Sequence, residues 1–177
     1  MAAPSRALPH PSPRSLRRAP GARVSVSTDE RSTRPALFRA LDAEFAFTLD
    51  VAATRATAKC PKYFTAKDDG LQRSWAGEHV WCNPPWSILP AWVEKAWREA
   101  RAGCPLIVML VPDNRCHQRW WQTLVEPARE RLVAGVRLTT RFLPGRPHFG
   151  TPSDPSAQRP THPKNGCVLL VFTSVAA

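Results

Sequence analysis

Two consecutive prolines directly after a short apolar run constrain this chain more than any other feature. The stretch reads Val80-Trp81-Cys82-Asn83-Pro84-Pro85-Trp86-Ser87. Each proline lacks an N–H and fixes φ, so neither belongs in a strand ladder or a helix interior. The strand must therefore stop at Cys82, and the chain must leave its sheet at Asn83. In an open α/β sheet the mouth at the carboxyl ends of the strands is where ligands bind. An amide, two proline carbonyls and a flat ring presented there make a receptor for a planar nitrogenous base. The carbonyls and the Asn83 side chain can accept hydrogen bonds from an exocyclic amine, and Trp86 can stack on the ring. A strand-terminating turn with a core tryptophan is the competing structural reading, so the surroundings decide.

Those surroundings alternate strands with helices. Leu37, Phe38, Leu41 and Phe45 recur at helical spacing over Ala36–Glu44, with Thr33 as a candidate cap and Pro35 in the first turn. Phe45–Val51 reads as a strand ending in Asp50 and the small pair Ala52-Ala53. A carboxylate there suits a ligand carrying amines or hydroxyls, and equally suits a turn cap. Residues 59–77 are too polar for more than a short strand at Tyr63–Thr65, and Asp69-Gly70 is a turn dipeptide. Ser87 is placed to cap a helix over Ile88–Arg101, whose stripe of Leu89, Trp92, Val93, Ala96, Trp97 and Ala100 faces a core and which Gly103 ends. Leu106–Val111 is continuously apolar, as a central parallel strand buried on both faces should be. A helix over His117–Arg131, bent or divided by Pro127, and a last buried strand over Cys167–Phe172 complete the pattern. The expectation is a single-domain, three-layer α/β fold.

At 177 residues the chain sustains one core without disulfides or metals. Its five cysteines are scattered, odd in number and free of any C-x-x-C, which speaks against a zinc site or a disulfide framework and for a reducing cytoplasm. No apolar run is long enough to span a membrane. The net charge of +11, with a pI near 10.5, points to a polyanionic partner. Residues 1–27 are Pro- and Arg-rich without one acidic side chain and read as a disordered basic tail, leaving 28–177 as the domain. The long loop Arg146–Gly166, with Arg146, His148, Arg159 and Lys164, is either a DNA-contacting segment or simply irregular.

From Asp29 onward the chain resembles the small phage-type DNA N-6-adenine methyltransferases. The resemblance rests on Phe47–Ala53, Ala58–Thr65, Asp69-Gly70-Leu71 with Trp75, Trp81–Ser87, Trp92–Ala96 and Val111-Pro112. Trp120-Trp121, Gly145-Arg146 with Phe149-Gly150, and Val168–Phe172 extend it in collinear order. The family's Asp-x-Trp-x-Thr-Pro block is altered here to Asp29-Glu30-Arg31-Ser32-Thr33-Arg34-Pro35. Its loop after the Val-Pro strand differs too, reading Asp113–Arg119. No glycine-rich G-x-G-type loop precedes Asn83.

The resemblance implies a compact Rossmann-like, S-adenosylmethionine-dependent methyltransferase fold acting as a monomer on double-stranded DNA, in a bacterial or phage-infected cytoplasm. Asn83, Pro84, Pro85 and Trp86 then form the target-base pocket. Asp50, Ala52, Ala53, Asp69 and Thr33 lie by the methyl donor. Arg115, Arg119, Arg146, His148 and Lys164 are the candidate DNA contacts, and no metal is expected. Two other readings stand beside it: a methyltransferase for an RNA base or a protein glutamine amide, and an inactive DNA-binding module on the same scaffold.

Overall fold

The computed structural model of the protein describes residues 32–147, 149–150 and 165–175. The expected tail, together with His148, Arg159 and Lys164, lies outside the described residues.

Seven strands form one mixed sheet: β2 (Leu49–Asp50), β3 (Lys62–Tyr63), β4 (His79–Cys82), β5 (Leu106–Pro112), β6 (Arg131–Val133), β7 (Val136–Phe142) and β9 (Cys167–Ser174). Their order is β3-β2-β4-β5-β9-β7-β6. The first four run parallel, whereas β9 is antiparallel to both β5 and β7, and β6 is antiparallel to β7. A separate two-stranded ribbon pairs β1 (Ser32–Thr33) with β8 (Phe149–Gly150). Helices cover both faces. Helix α1 (Pro35–Phe45) packs with Phe47, Trp81, Leu169 and Phe149 in one apolar cluster. Helices α2 (Leu89–Arg101) and α3 (Arg119–Leu124) pack with Leu49, Ile107, Leu170 and Phe172 in the other. The molecule is thus mixed α/β, and β5, fully buried from Ile107 to Val111, is its spine.

Several boundaries differ from the sequence reading, each for a local reason. Thr33 does not cap α1. It belongs to β1, and Arg34 occupies the cap position with no side-chain bond. The strand expected from Phe45 begins only at Leu49, because α1 runs on to Phe45 and stops where Ala46 turns left-handed (φ 51°). Asp42 closes that end twice, its carbonyl accepting the Ala46 N–H at 2.8 Å and its carboxylate the Phe47 N–H at 2.9 Å.

Ser87 does not cap α2 either. A 3-10 turn over Trp86–Ile88 intervenes, in which the Ile88 N–H donates to the Pro85 carbonyl at 3.3 Å, and Pro90 sits in the first turn of α2 where no N–H is needed. The helix expected to reach Arg131 ends at Leu124. A 3-10 turn over Glu126–Ala128 carries Pro127, and the chain re-enters the sheet as β6. Strand β7 was not foreseen among the arginines, although Val136 and Leu138 point inward and Arg137 outward in strand alternation. Ala134 (φ 49°) and Gly135 (φ 75°) make the two-residue left-handed turn that joins it to β6.

Candidate active site at the switch point of the sheet

The chain leaves β2 for β3 on one side and returns to β4 on the other, so the sheet reverses direction between β2 and β4. At such a point the two connections diverge and leave a crevice beyond the carboxyl ends of the strands. Those ends are Asp50 and Cys82-Asn83. Register fixes their proximity: Asp50 lies opposite Trp81, and the Val51 N–H donates to the Trp81 carbonyl at 3.1 Å. Ser32, Thr33, Asp50, Ala52, Lys59 and Asn83 line the crevice together with Thr57 and Trp81. The space is narrow, about 20 Å³, room for about one water.

Asp50 is the electrostatic centre. It is buried, and its two carboxylate oxygens accept backbone donors, Oδ1 from Ala52 at 3.3 Å and Oδ2 from Lys59 at 3.0 Å. Burial pushes its pKa up to about 6, against the smaller opposing pull of those two N–H groups and of the Lys59 charge. Thr33 reaches the crevice on β1; it is 1% exposed and its Oγ1 is buried with no hydrogen-bond partner among the described residues. A buried hydroxyl left unmet costs on the order of 1–3 kcal/mol.

The residues expected to form a base pocket stand at the same mouth. The strand ends at Cys82, as the prolines require, and Pro84 is buried while Asn83, Pro85 and Trp86 are half-buried. The two proline carbonyls are not equivalent. Pro85 accepts the Ile88 N–H, whereas Pro84 accepts no backbone bond among the described residues. Trp86 is held edge-on by Phe149 of β8, with ring centroids 5.6 Å apart and planes at 89°. The β1–β8 ribbon therefore serves both halves of the site: Thr33 is paired directly with Phe149.

The remaining expected residues are scattered by comparison. Ala53 is buried against the core, its N–H donating to the Phe64 carbonyl at 3.0 Å. Asp69 does not line the crevice. It is exposed in a left-handed turn (φ 53°), its Oδ1 accepting the Leu71 N–H at 3.2 Å, and Gly70 beside it lies against the Val51 carbonyl. Arg115 follows β5 in a 3-10 turn, its Nε buried without a partner; Arg119 opens α3; Arg146 is exposed beyond β7. Because β7 runs parallel to β5, Arg115 and Arg146 leave the sheet at the same edge as Asn83. Lys59, Thr57, Ser32 and Trp81 were not assigned to the crevice from sequence. The signal was the polar block nine residues after Asp50, which only the fold of the 51–61 connection brings back to the strand end.

A larger groove, about 570 Å³, runs along the outer side of α2 between Leu71, Trp97, Leu124 and Val133. Size favours the groove, but chemistry favours the crevice, which gathers a carboxylate with a raised pKa, an unpartnered buried hydroxyl, an amide and an ammonium. Among the described residues no cluster of histidine, cysteine or carboxylate side chains could hold a metal, and no helix is long and apolar enough to cross a membrane.

The molecule is thus a mixed α/β protein with a polar crevice at the switch point of its sheet and an Asn-Pro-Pro-aromatic turn beside it. The chain belongs to the DNA N-6-adenine-methyltransferase (Dam) family, whose profile matches residues 23–174. It is also 32% identical over 94 residues to a DNA N-6-adenine-methyltransferase of Escherichia phage T1. That match covers 52% of this chain and 39% of the phage protein, so the chain spans well under half of its relative.

Proposed function

We propose that the protein methylates the N6 amine of adenine in double-stranded DNA, with S-adenosylmethionine as donor, on a compact Rossmann-like methyltransferase fold. The observation that carries this reading is the Asn83-Pro84-Pro85-Trp86 turn standing across the switch point from buried Asp50. Family membership and the name of the phage relative support it. The crevice fits the donor chemically. Asp50 suits hydroxyls or an ammonium, the orphan Thr33 hydroxyl lacks a partner, and Ala52 and Ala53 leave the strand end uncrowded. Asp69, on the turn leaning against Val51, is assigned to the donor's sugar or adenine. A nucleoside enters so narrow a space only if a wall shifts. Ribbon β1, paired only to β8 among the described residues, is the wall with least support.

When bound, the donor supplies an electrophilic methyl group on a sulfonium. Adenine N6 is a poor nucleophile because its lone pair is delocalised into the ring. The Asn83 side-chain oxygen and the Pro84 carbonyl accept its two hydrogens, which draws the nitrogen toward tetrahedral geometry. Trp86, its plane set by Phe149, stacks on the base once it has left the duplex. Rate enhancement comes from positioning and fixed dipoles, and no strong base is required because the product ammonium is acidic. Arg115, Arg119 and Arg146, with His148 and Lys164, are assigned to the DNA backbone. The edge that Arg115 and Arg146 share with the site, together with the net charge of +11, favours duplex DNA as the partner.

The test is nucleoside mass spectrometry of adenine-unmethylated duplex DNA after incubation with the protein and S-adenosylmethionine. N6-methyladenine is expected. Its absence, with S-adenosylmethionine still raising the melting temperature, transfers the reading to an RNA or protein acceptor. Absence of both reduces the protein to a DNA-binding module.

A further inference from the structure

We infer that the Lys59 ammonium binds the carboxylate at the amino-acid end of the methyl donor. This rests on the reading of the crevice as the donor site. Lys59 is the only cation among the described residues that line it, the others offering a carboxylate, an amide, hydroxyls and apolar surface. Its backbone N–H is committed to Asp50 Oδ2 at 3.0 Å, which anchors the residue at the switch point.

Its side chain is a different matter. Lys59 is half-buried, yet among the described residues its ammonium makes no ion pair or hydrogen bond, Asp50 included. Two other lysines are paired, Lys95 with Glu99 at 2.5 Å on α2 and Lys62 with Glu78. Burial lowers the Lys59 pKa, and the Asp50 charge only partly opposes this. An ammonium withdrawn from water gains most from an anion with its own oxygens to offer. The donor carries one such group, its α-carboxylate, and Asp50, also lining the crevice, has the sign to take an ammonium or the hydroxyls. The crevice thus offers the donor one cationic and one anionic side chain, Lys59 and Asp50, by which it is oriented.

The test is calorimetric titration of the full chain at pH 7.5 with S-adenosylhomocysteine and with 5′-methylthioadenosine, which lacks the amino-acid carboxylate. Lys59→Met should weaken S-adenosylhomocysteine about ten- to a hundredfold, as loss of a charged hydrogen bond does, and leave 5′-methylthioadenosine unchanged. Lys59→Arg should recover most of the affinity. Equal weakening of both compounds overturns the assignment while leaving the donor site intact. So does unchanged S-adenosylhomocysteine binding with weakened binding of a DNA duplex, which makes the ammonium a phosphate contact. Failure of the unaltered protein to bind either compound removes the donor site and this inference together. Thermal melting checks the fold of each variant; should Lys59→Met not fold, Lys59→Gln against Lys59→Arg carries the same comparison.

Discussion

The two halves of the sheet are built on different terms. On the antiparallel side, β5, β9 and β7 pair over seven residues each, and nearly every side chain from Ile107 to Val111 and from Cys167 to Phe172 is buried. On the parallel side, β2 and β3 pair over two residues and β4 meets β2 over two. Long ladders make a rigid wall with little to offer a ligand. Short strands bring polar ends, an unpartnered hydroxyl and a carboxylate with a raised pKa into one crevice. On the proposed reading, stability and function are divided between the halves, and the division can be tested.

The sharpest separation is expected from Asn83→Ala. Methyl transfer should fall by about a hundred- to a thousandfold, the usual cost of removing one fixed polar contact to the reacting group, a far larger loss than in donor binding by calorimetry, to which Asn83 offers one amide among several lining groups. Preserved turnover would falsify the role given to Asn83. The complementary change is Leu170→Ala in β9, fully buried between β5 and β7. It should cost about 3 kcal/mol in chemical denaturation by leaving a cavity, with donor affinity of the folded fraction intact. A loss of affinity without loss of stability would show that the halves are not separable.

Gly70→Ala probes the seam. An added Cβ would lie 2.3 Å from the Val51 carbonyl and 3.1 Å from the Trp92 ring, pushing on the end of β2. A cost of about 1–3 kcal/mol is expected together with weaker donor binding, because the displaced backbone adjoins Asp50. A purely thermal effect would mean that the turn is a prop for the core alone.

Protonation of Asp50 gives a smaller, graded signal. With its pKa near 6 the carboxylate is ionised above that pH, so donor affinity should rise from pH 5 to 7.5 with a midpoint near 6, and Asp50→Asn should flatten the profile. The stability linkage has the opposite sense. Between its ordinary value of 3.8 and about 6 the folded chain holds the proton more tightly than the unfolded one, so Asp50's contribution to stability is full at low pH. It declines as pH rises through that window and is constant above it. The smallest effect is expected at the surface: Arg141→Ala, which removes the exposed pair with Glu44, should change stability by at most about 1 kcal/mol and less in high salt.

What could be read from the chain follows the same division. The buried spine β5, the last strand and the apolar stripe of α2 were legible because each rests on an uninterrupted run or a helical period, and the burial of Trp92 and Trp97 agrees. The exit at Asn83 was legible because proline chemistry is local. Strand β7 was obscured because its outward arginines dominate the composition, and β1 and β8 because two-residue strands leave no periodicity to detect. The caps assigned to Thr33 and Ser87 failed because a hydroxyl before a helix is only permissive: Thr33 is taken up by strand β1, and Ser87 by a 3-10 turn ahead of α2.

The sequence by itself determined the α/β class, the position of the turn that ends β4, and the resemblance that family membership bears out. These depend on local backbone limits and on motif order, both written in the chain. Only the tertiary structure decided that Asp50 and Asn83 share a crevice with Thr33 and Lys59 while Asp69 stands outside it. That outcome depends on strand order and register, β2 placed between β3 and β4 and Asp50 opposite Trp81. Such pairings are settled by the competition among all the apolar faces for one core, a global quantity that no single segment carries.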